Sequence, residues 1–179
     1  MEKFEQITSI AIPLDLANVD TDMIIPAQYL TNINRTGFGK YLFQRLREHS
    51  ADFVLNQACY QGAAVLLTRA NFGCGSSREH AVWALMQAGI KVIIAESFSD
   101  IFKNNADKNG LLAVSLPEET ISCLLNQSKA EPLILTVDLK SQTVSTSQAN
   151  KYCFEFDPFR KTCFLKGQDD LDYLLEATR

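Results

Sequence analysis

The residues best suited to chemistry in this chain gather in one stretch, Asn71-Phe72-Gly73-Cys74-Gly75-Ser76-Ser77-Arg78-Glu79-His80-Ala81. Two hydroxyls and a guanidinium follow two glycines there. Without a Cβ, Gly73 and Gly75 can take positive φ and let backbone N–H groups approach a ligand closely. Ser76 stands three residues before Glu79, the spacing of a capping box. Ala81, Val82, Leu85 and Met86 then share one face, so the spacing predicts a helix from Ser76 to Ala88 stopped by Gly89. Unpaired N–H donors at such a start, with Ser76, Ser77 and Arg78 beside them, form an arrangement for holding an anion. The helix dipole opposes a cation in the first turn, and an anionic ligand at Arg78 resolves that conflict.

Three chemistries compete for the turn. A nucleophile elbow needs glycines two residues before and after a Ser or Cys, but Cys74 has Phe72 and Ser76 at those positions. A phosphate loop needs GxxxxGK[ST] and a dinucleotide fold needs GxGxxG; Gly73 and Gly75 run on to Arg78, so neither is complete. What remains is carboxylate binding with proton abstraction, in which Arg78 forms a fork, N–H groups hold an oxyanion and a serine hydroxyl stands alongside. Ser76 is read either as the base of that reaction or as a helix N-cap. Asp20 and Asp22 lie in an Asx-rich turn and read either as caps or as site residues. Cys74 reads as a small turn residue, His80 as a hydrogen-bonded support behind the site, and Trp83, Phe98 and Phe102 as core or interface.

The elements around this turn follow from pattern. Ile7 to Leu14 is apolar and β-prone, and Asp15 to Asp22 is loop. Pro26 opens a short helix through Leu30; Thr31 to Gly39 is loop with Arg35 exposed; Lys40 to Arg47 is helical; Phe53 to Asn56 is a short strand or extended connection. From Ala63 the pattern is clearer. Strand Ala63 to Thr68, the helix after the glycine turn and strand Val92 to Ile94 make a βαβ unit. A helix from Ser99 to Lys108 ended by Gly110, a strand from Leu111 to Ser115 and a helix from Pro117 to about Leu125 extend it. Leu133 to Asp138, Thr143 to Ser147 and Tyr152 to Phe156 read as antiparallel strands. Asp157-Pro158 caps a later helix broken by Gly167, and Asp170 to Ala177 forms a tail helix. The expected class is α/β, a partly parallel sheet with right-handed crossovers, flanking helices and additional antiparallel strands.

Composition narrows the function. The 179 residues are 46% hydrophobic, enough for one sizeable core, and residues 1–179 read as a single domain. A net charge of −4 without a basic run argues against nucleic acid or an anionic membrane as partner. The charged N-terminus and short apolar runs provide neither a secretory signal nor a spanning helix, so the expected location is cytoplasmic. Cys59, Cys74, Cys123, Cys153 and Cys163 contain no CxxC pair, and with only His49 and His80 they make neither a disulfide framework nor a zinc or iron–sulfur ligand set.

Asn71 to Ala84, with Asn18-Val19-Asp20-Thr21-Asp22-Met23-Ile24-Ile25-Pro26 upstream, closely resembles the small subunits of 3-isopropylmalate dehydratase, in the aconitase superfamily. The likeness continues through Arg35-Thr36-Gly37-Phe38-Gly39, Asp52 to Asn56, Ser97 to Phe102 and Asn109 to Leu112. It implies a swivelling β/β/α domain whose partner, a separate large subunit, carries a [4Fe–4S] cluster acting as Lewis acid; this chain is expected to bind no cofactor or metal itself. It also implies a hydro-lyase of leucine biosynthesis, which interconverts 2-isopropylmalate and 3-isopropylmalate through 2-isopropylmaleate and is active only with the large subunit. By the same resemblance Ser76 is the general base, Ser77 and Arg78 contact substrate, Asp22 matches an active-site aspartate and Arg35 a second carboxylate-binding arginine. Two other readings stand beside it: a related hydro-lyase of citramalate- or homocitrate-type diacids, and a non-catalytic anion-binding module. In the tail, Gly167-Gln168-Asp169-Asp170-Leu171 matches the corresponding segment of longer members only in part.

Overall fold

The structure is a computed structural model that describes residues 1–31 and 35–177. A seven-stranded sheet runs through the molecule in the order β4-β3-β2-β1-β5-β6-β7. Its parallel half is β1 (Gln6–Leu14), β2 (Val65–Thr68), β3 (Val92–Ala95) and β4 (Leu112–Ser115). Its antiparallel half is β5 (Ile134–Asp138), β6 (Thr143–Thr146) and β7 (Lys151–Cys153), with β5 paired to β1. Strand direction therefore reverses at β1, the long strand shared by both halves.

Side-chain alternation divides the core between the two faces. Ile12, Leu66, Ile93 and Ala113 point to one face, where they pack with helices α1 (Thr21–Ile24), α3 (Glu79–Gln87) and α4 (Asp100–Asn109). Ala11, Val65, Leu67, Val92, Ile94, Leu112 and Val114 point to the other, against α5 (Glu118–Ala130), Leu135 and Val137 of β5, and Phe164 of α6 (Pro158–Lys166). Strands covered on both faces must be apolar throughout, which is why β2 and β3 have no polar alternation. Each fully buried Leu or Ile there contributes roughly 1.5–3 kcal/mol. Two further helices complete the fold, α2 (Gln44–His49) and the tail helix α7 (Asp170–Ala177). Among the described residues no helix is long and apolar enough to cross a membrane.

The α/β class with its added antiparallel strands matches the sequence reading, and several boundaries rest on local signals. Ser99 caps α4 by accepting from Phe102 N, and Asp157 caps α6 by accepting from Arg160 N, while Gly110 and Gly167 end those helices in the left-handed region. The loop expected through Asp22 gives way to α1 at Thr21, and the strand expected over Tyr152 to Phe156 is β7 only as far as Cys153. Three further expectations need correction. Phe53 to Asn56 is not strand: Val54–Asn56 is a 3₁₀ turn, held by Asn56 Nδ2 donating to the carbonyls of Arg47 and Ser50. The helix from Lys40 to Arg47 is broken in two, because Phe43 takes φ 50° and separates a 3₁₀ turn at Gly39–Tyr41 from α2. Most consequentially, α3 begins at Glu79 and not at Ser76.

Candidate active site

Three loops meet at the carboxyl ends of adjacent parallel strands: residues 15–20 after β1, 69–78 after β2 and 96–99 after β3. This is the edge where open α/β sheets bind ligands. The loop after β1 is stitched to the glycine turn along its length. Asn18 N donates to Ala70 O at 2.9 Å, Gly73 N to Val19 O at 2.7 Å and Thr21 N to Cys74 O at 3.0 Å, with a parallel bridge between Asp20 and Cys74. The third loop supports the turn from beneath: Phe72 N donates to Ser97 O, Ser99 N to Phe72 O, and the Ser99 hydroxyl to Gly73 O at 2.7 Å. Gly73 has φ +75°, and a Cβ there would stand 2.2 Å from Phe102 Cγ, so this position requires glycine.

These tertiary bonds explain the late start of α3. The capping box needs Glu79 to reach back toward Ser76, but Glu79 Oε1 instead accepts from Asn109 Nδ2 at 2.9 Å. Arg78 occupies the N-cap position in extended geometry, φ −106° and ψ 106°, with no side-chain cap bond, and its N–H donates to Ser76 O at 2.9 Å. Ser76 and Ser77 thus precede the helix as exposed turn residues. The N-cap reading of Ser76 falls, and its hydroxyl is left for other partners.

The first turn that is helical lies upstream instead. Asp20 caps α1 through Oδ1, which accepts from Met23 N at 2.7 Å, so one member of the Asp20/Asp22 pair is an Asx cap. The other is ion-paired: Arg78 Nη1 donates to Asp22 Oδ1 across 56 residues of chain. The Arg78 hydrogen bond holds the Asp22 carboxyl below the usual carboxylate range against a smaller opposing effect of desolvation; the charge of Arg45 adds to the lowering. An aspartate so held is a poor proton acceptor while the pair persists. Thr21 Oγ1 lies 3.3 Å from Ser76 Oγ. Thr21, Asp22, Ser76 and Arg78 therefore form one cluster.

Arg35 is held differently. Its guanidinium lies over the Trp83 ring, 5.1 Å from the centroid, and its carbonyl accepts from Gln87 Nε2 at 2.7 Å, so it is tied to the middle and end of α3. His80, expected to hydrogen-bond behind the site, packs its ring edge-on against Phe38 and beside Trp83. Trp83 Nε1 donates to Asn109 Oδ1 at 3.0 Å. Sequence reasoning passed over three residues that shape this region. Ser99 was visible only as the start of a helix; Asn109, which takes Glu79, and Thr21, beside Ser76, gave no local signal.

The molecule so far is an α/β domain with a candidate anion-binding turn at the carboxyl ends of its parallel strands. Comparison with known proteins makes that class specific. Residues 1–119 match the aconitase C-terminal domain model. The chain is 53% identical over 176 residues to the 3-isopropylmalate dehydratase small subunit of Francisella tularensis subsp. novicida, covering 98% of this chain and 93% of that protein. It is 48% identical over 182 residues to the namesake from a Ruegeria species, covering 98% and 90%. A crystal structure of 3-isopropylmalate dehydratase from Methanocaldococcus jannaschii superposes with a TM-score of 0.73 at 26% identity, covering 97% of this chain and 95% of that one. The chain belongs to the 3-isopropylmalate dehydratase small-subunit family, within the aconitase C-terminal domain group. Membership among small subunits implies a large-subunit partner.

Proposed function

We propose that this chain, acting as one swivelling domain over residues 1–179, joins a large subunit to form 3-isopropylmalate dehydratase, the hydro-lyase that interconverts 2-isopropylmalate and 3-isopropylmalate through 2-isopropylmaleate in leucine biosynthesis. The observation that carries the reading is the meeting of Ser76 with Thr21 and of Arg78 with Asp22, across two distant loops, within a chain 48–53% identical to named small subunits over nearly its full length. Among the described residues no group of three or more His, Cys, Asp or Glu side chains converges as a metal site. The reading assigns the cluster, and the Lewis-acid chemistry that takes the leaving hydroxyl, to the large subunit.

This chain's part is to hold the diacid and remove a proton. In the proposal Arg78 exchanges Asp22 for a substrate carboxylate, Ser77 adds a hydrogen bond, and Arg35 swings from Trp83 to a second carboxylate. Ser76 Oγ takes the proton from the carbon next to the one that loses hydroxyl. A serine hydroxyl is almost as weak an acid as water, so it must be made a far stronger acid to serve as a base near neutrality, at roughly 1.36 kcal/mol for each unit of pKa lowered. A helix N-terminus supplies only about 0.3–2 kcal/mol, and Ser76 stands before α3 starts. The remainder requires oriented donors and cations in a closed, water-poor site, which an open surface turn lacks. The isolated chain is therefore inert in this reading.

The test is co-expression with a large subunit, anaerobic purification and turnover assays on 2-isopropylmalate, citramalate and homocitrate. The expected result is turnover of isopropylmalate by the assembly and none by this chain alone. A stoichiometric cluster on this chain by itself, or an assembly that binds diacids without turning any over, refutes the proposal.

A further inference from the structure

Ser76 and Thr21 present an asymmetric pair of hydroxyls. Thr21 is 3% exposed, held in α1 by the Asp20 cap and by its own N–H to Cys74 O. Ser76 faces solvent. Gly75, at φ +96°, lies against Thr21, and a Cβ there would make ordinary contact with Thr21 Oγ1 at 3.6 Å. A buried hydroxyl cannot turn to bulk water for a partner, so Thr21 is committed to its neighbour, whereas exposed Ser76 can exchange partners.

We propose that Thr21 is the positioning residue for Ser76, donating its hydroxyl hydrogen to Ser76 Oγ when that oxygen is negatively charged and so aiming it at the substrate carbon. This inference rests on the reading of Ser76 as the proton acceptor. The 3.3 Å separation is long for a pair of hydroxyls. Catalytic hydrogen bonds are often long before substrate arrives and tighten in the reacting complex, and a charge on one oxygen shortens the bond further. The proton balance is simple. Ser76 has released its own proton to solvent; the substrate C–H bond then breaks, the Oγ–H bond forms, and the electron pair enters the C=C bond as hydroxyl leaves the adjacent carbon. Thr21 keeps its hydrogen throughout, which is why its role is distinct from that of a second base.

The experiment uses the enzyme assembled with its large subunit and compares wild type, Thr21→Val, Thr21→Ser and Ser76→Ala. Thr21→Val keeps the shape and removes the donor. It is expected to lower kcat by about ten- to hundredfold, the range for a hydrogen bond to a charged group, with KM changed by less than about threefold. Thr21→Ser restores the donor, and kcat returns to within about threefold of wild type. Thr21→Val at near-normal kcat, or Thr21→Ser as slow as Thr21→Val, overturns the inference. Where Thr21→Val fails to assemble, Thr21→Ala replaces it in the same comparison. Inactive wild-type assembly, or Ser76→Ala at wild-type rate, overturns the reading of the turn itself and the role of Thr21 with it.

Discussion

Asp107 carries a penalty that a single substitution should expose. It lies in the last turn of α4, where the helix dipole disfavours a negative charge, and it is 8% exposed. Its Oδ1 is buried without a hydrogen-bond partner among the described residues. Burial pushes its carboxyl up to about 6 from an ordinary 3.8; Asp157 pushes the same way, while Lys103 and Arg160 pull it down. The folded state therefore holds its proton more tightly than the unfolded chain does. Stability is intact below the unfolded pKa, falls as pH rises from about 4 to about 6, and is level above that. The difference of 6 less 3.8, about 2.2 units, is worth about 3 kcal/mol at roughly 1.36 kcal/mol per unit. Linkage places about 1 kcal/mol of this at about pH 4.5 and about 3 kcal/mol at about pH 7.5. Asp107→Asn cannot ionise, and its buried amide costs the same at either pH. The variant should therefore gain about 2 kcal/mol relative to wild type between those two conditions. Urea unfolding of both proteins followed by circular dichroism across that range measures it. A stability difference that stays constant with pH, within about 0.5 kcal/mol, would falsify the account and show that Asp107 ionises as an ordinary surface carboxylate.

Other outcomes test the turn. Ser76→Ala and Ser76→Asn in the assembled enzyme should each lose about 10²-fold or more in kcat, the scale of a lost general base. Because Ser76 does not cap α3, both should unfold within about 0.5 kcal/mol of wild type; a stability loss of cap size with activity kept would restore the N-cap reading. Arg78→Lys keeps the charge and loses the fork, so kcat/KM should fall by about 1.5–3 kcal/mol in activation free energy; an unchanged value removes Arg78 from substrate contact. Gly73→Ala places a Cβ against Phe102 in a left-handed conformation. Roughly 1–2 kcal/mol of backbone strain and roughly 1–3 kcal/mol of overpacking should appear as a lowered urea midpoint.

The parallel half of the fold was legible because its signals are local. Val65 to Leu67 and Val92 to Ala95 are buried on both faces and read as unbroken apolar runs, and Ser99, Asp157, Gly110 and Gly167 act on backbone groups a few residues away. The failures share the opposite property. Ser76 and Glu79 have capping-box spacing, but Asn109 competes for Glu79 from 30 residues away, and the turn before it is bonded to Val19 and Thr21. Phe43 enters the left-handed region while its N–H donates to Ile24 O, a demand no neighbouring residue announces.

The sequence alone determined which groups could do chemistry: a glycine turn able to approach an anion, two hydroxyls and an arginine after it, and an Asx-rich loop carrying Asp20 and Asp22. Residue type and short spacing suffice for that, since they set donors, charges and allowed φ. Only the tertiary structure decided how those groups are partnered. It set Asp22 on Arg78, gave Asp20 to α1 as its cap, laid Arg35 over Trp83 and turned Thr21 toward Ser76. The Asp22–Arg78 and Thr21–Ser76 pairings form because β1 and β2 lie side by side and parallel, so the loops leaving their carboxyl ends meet although more than fifty residues separate them.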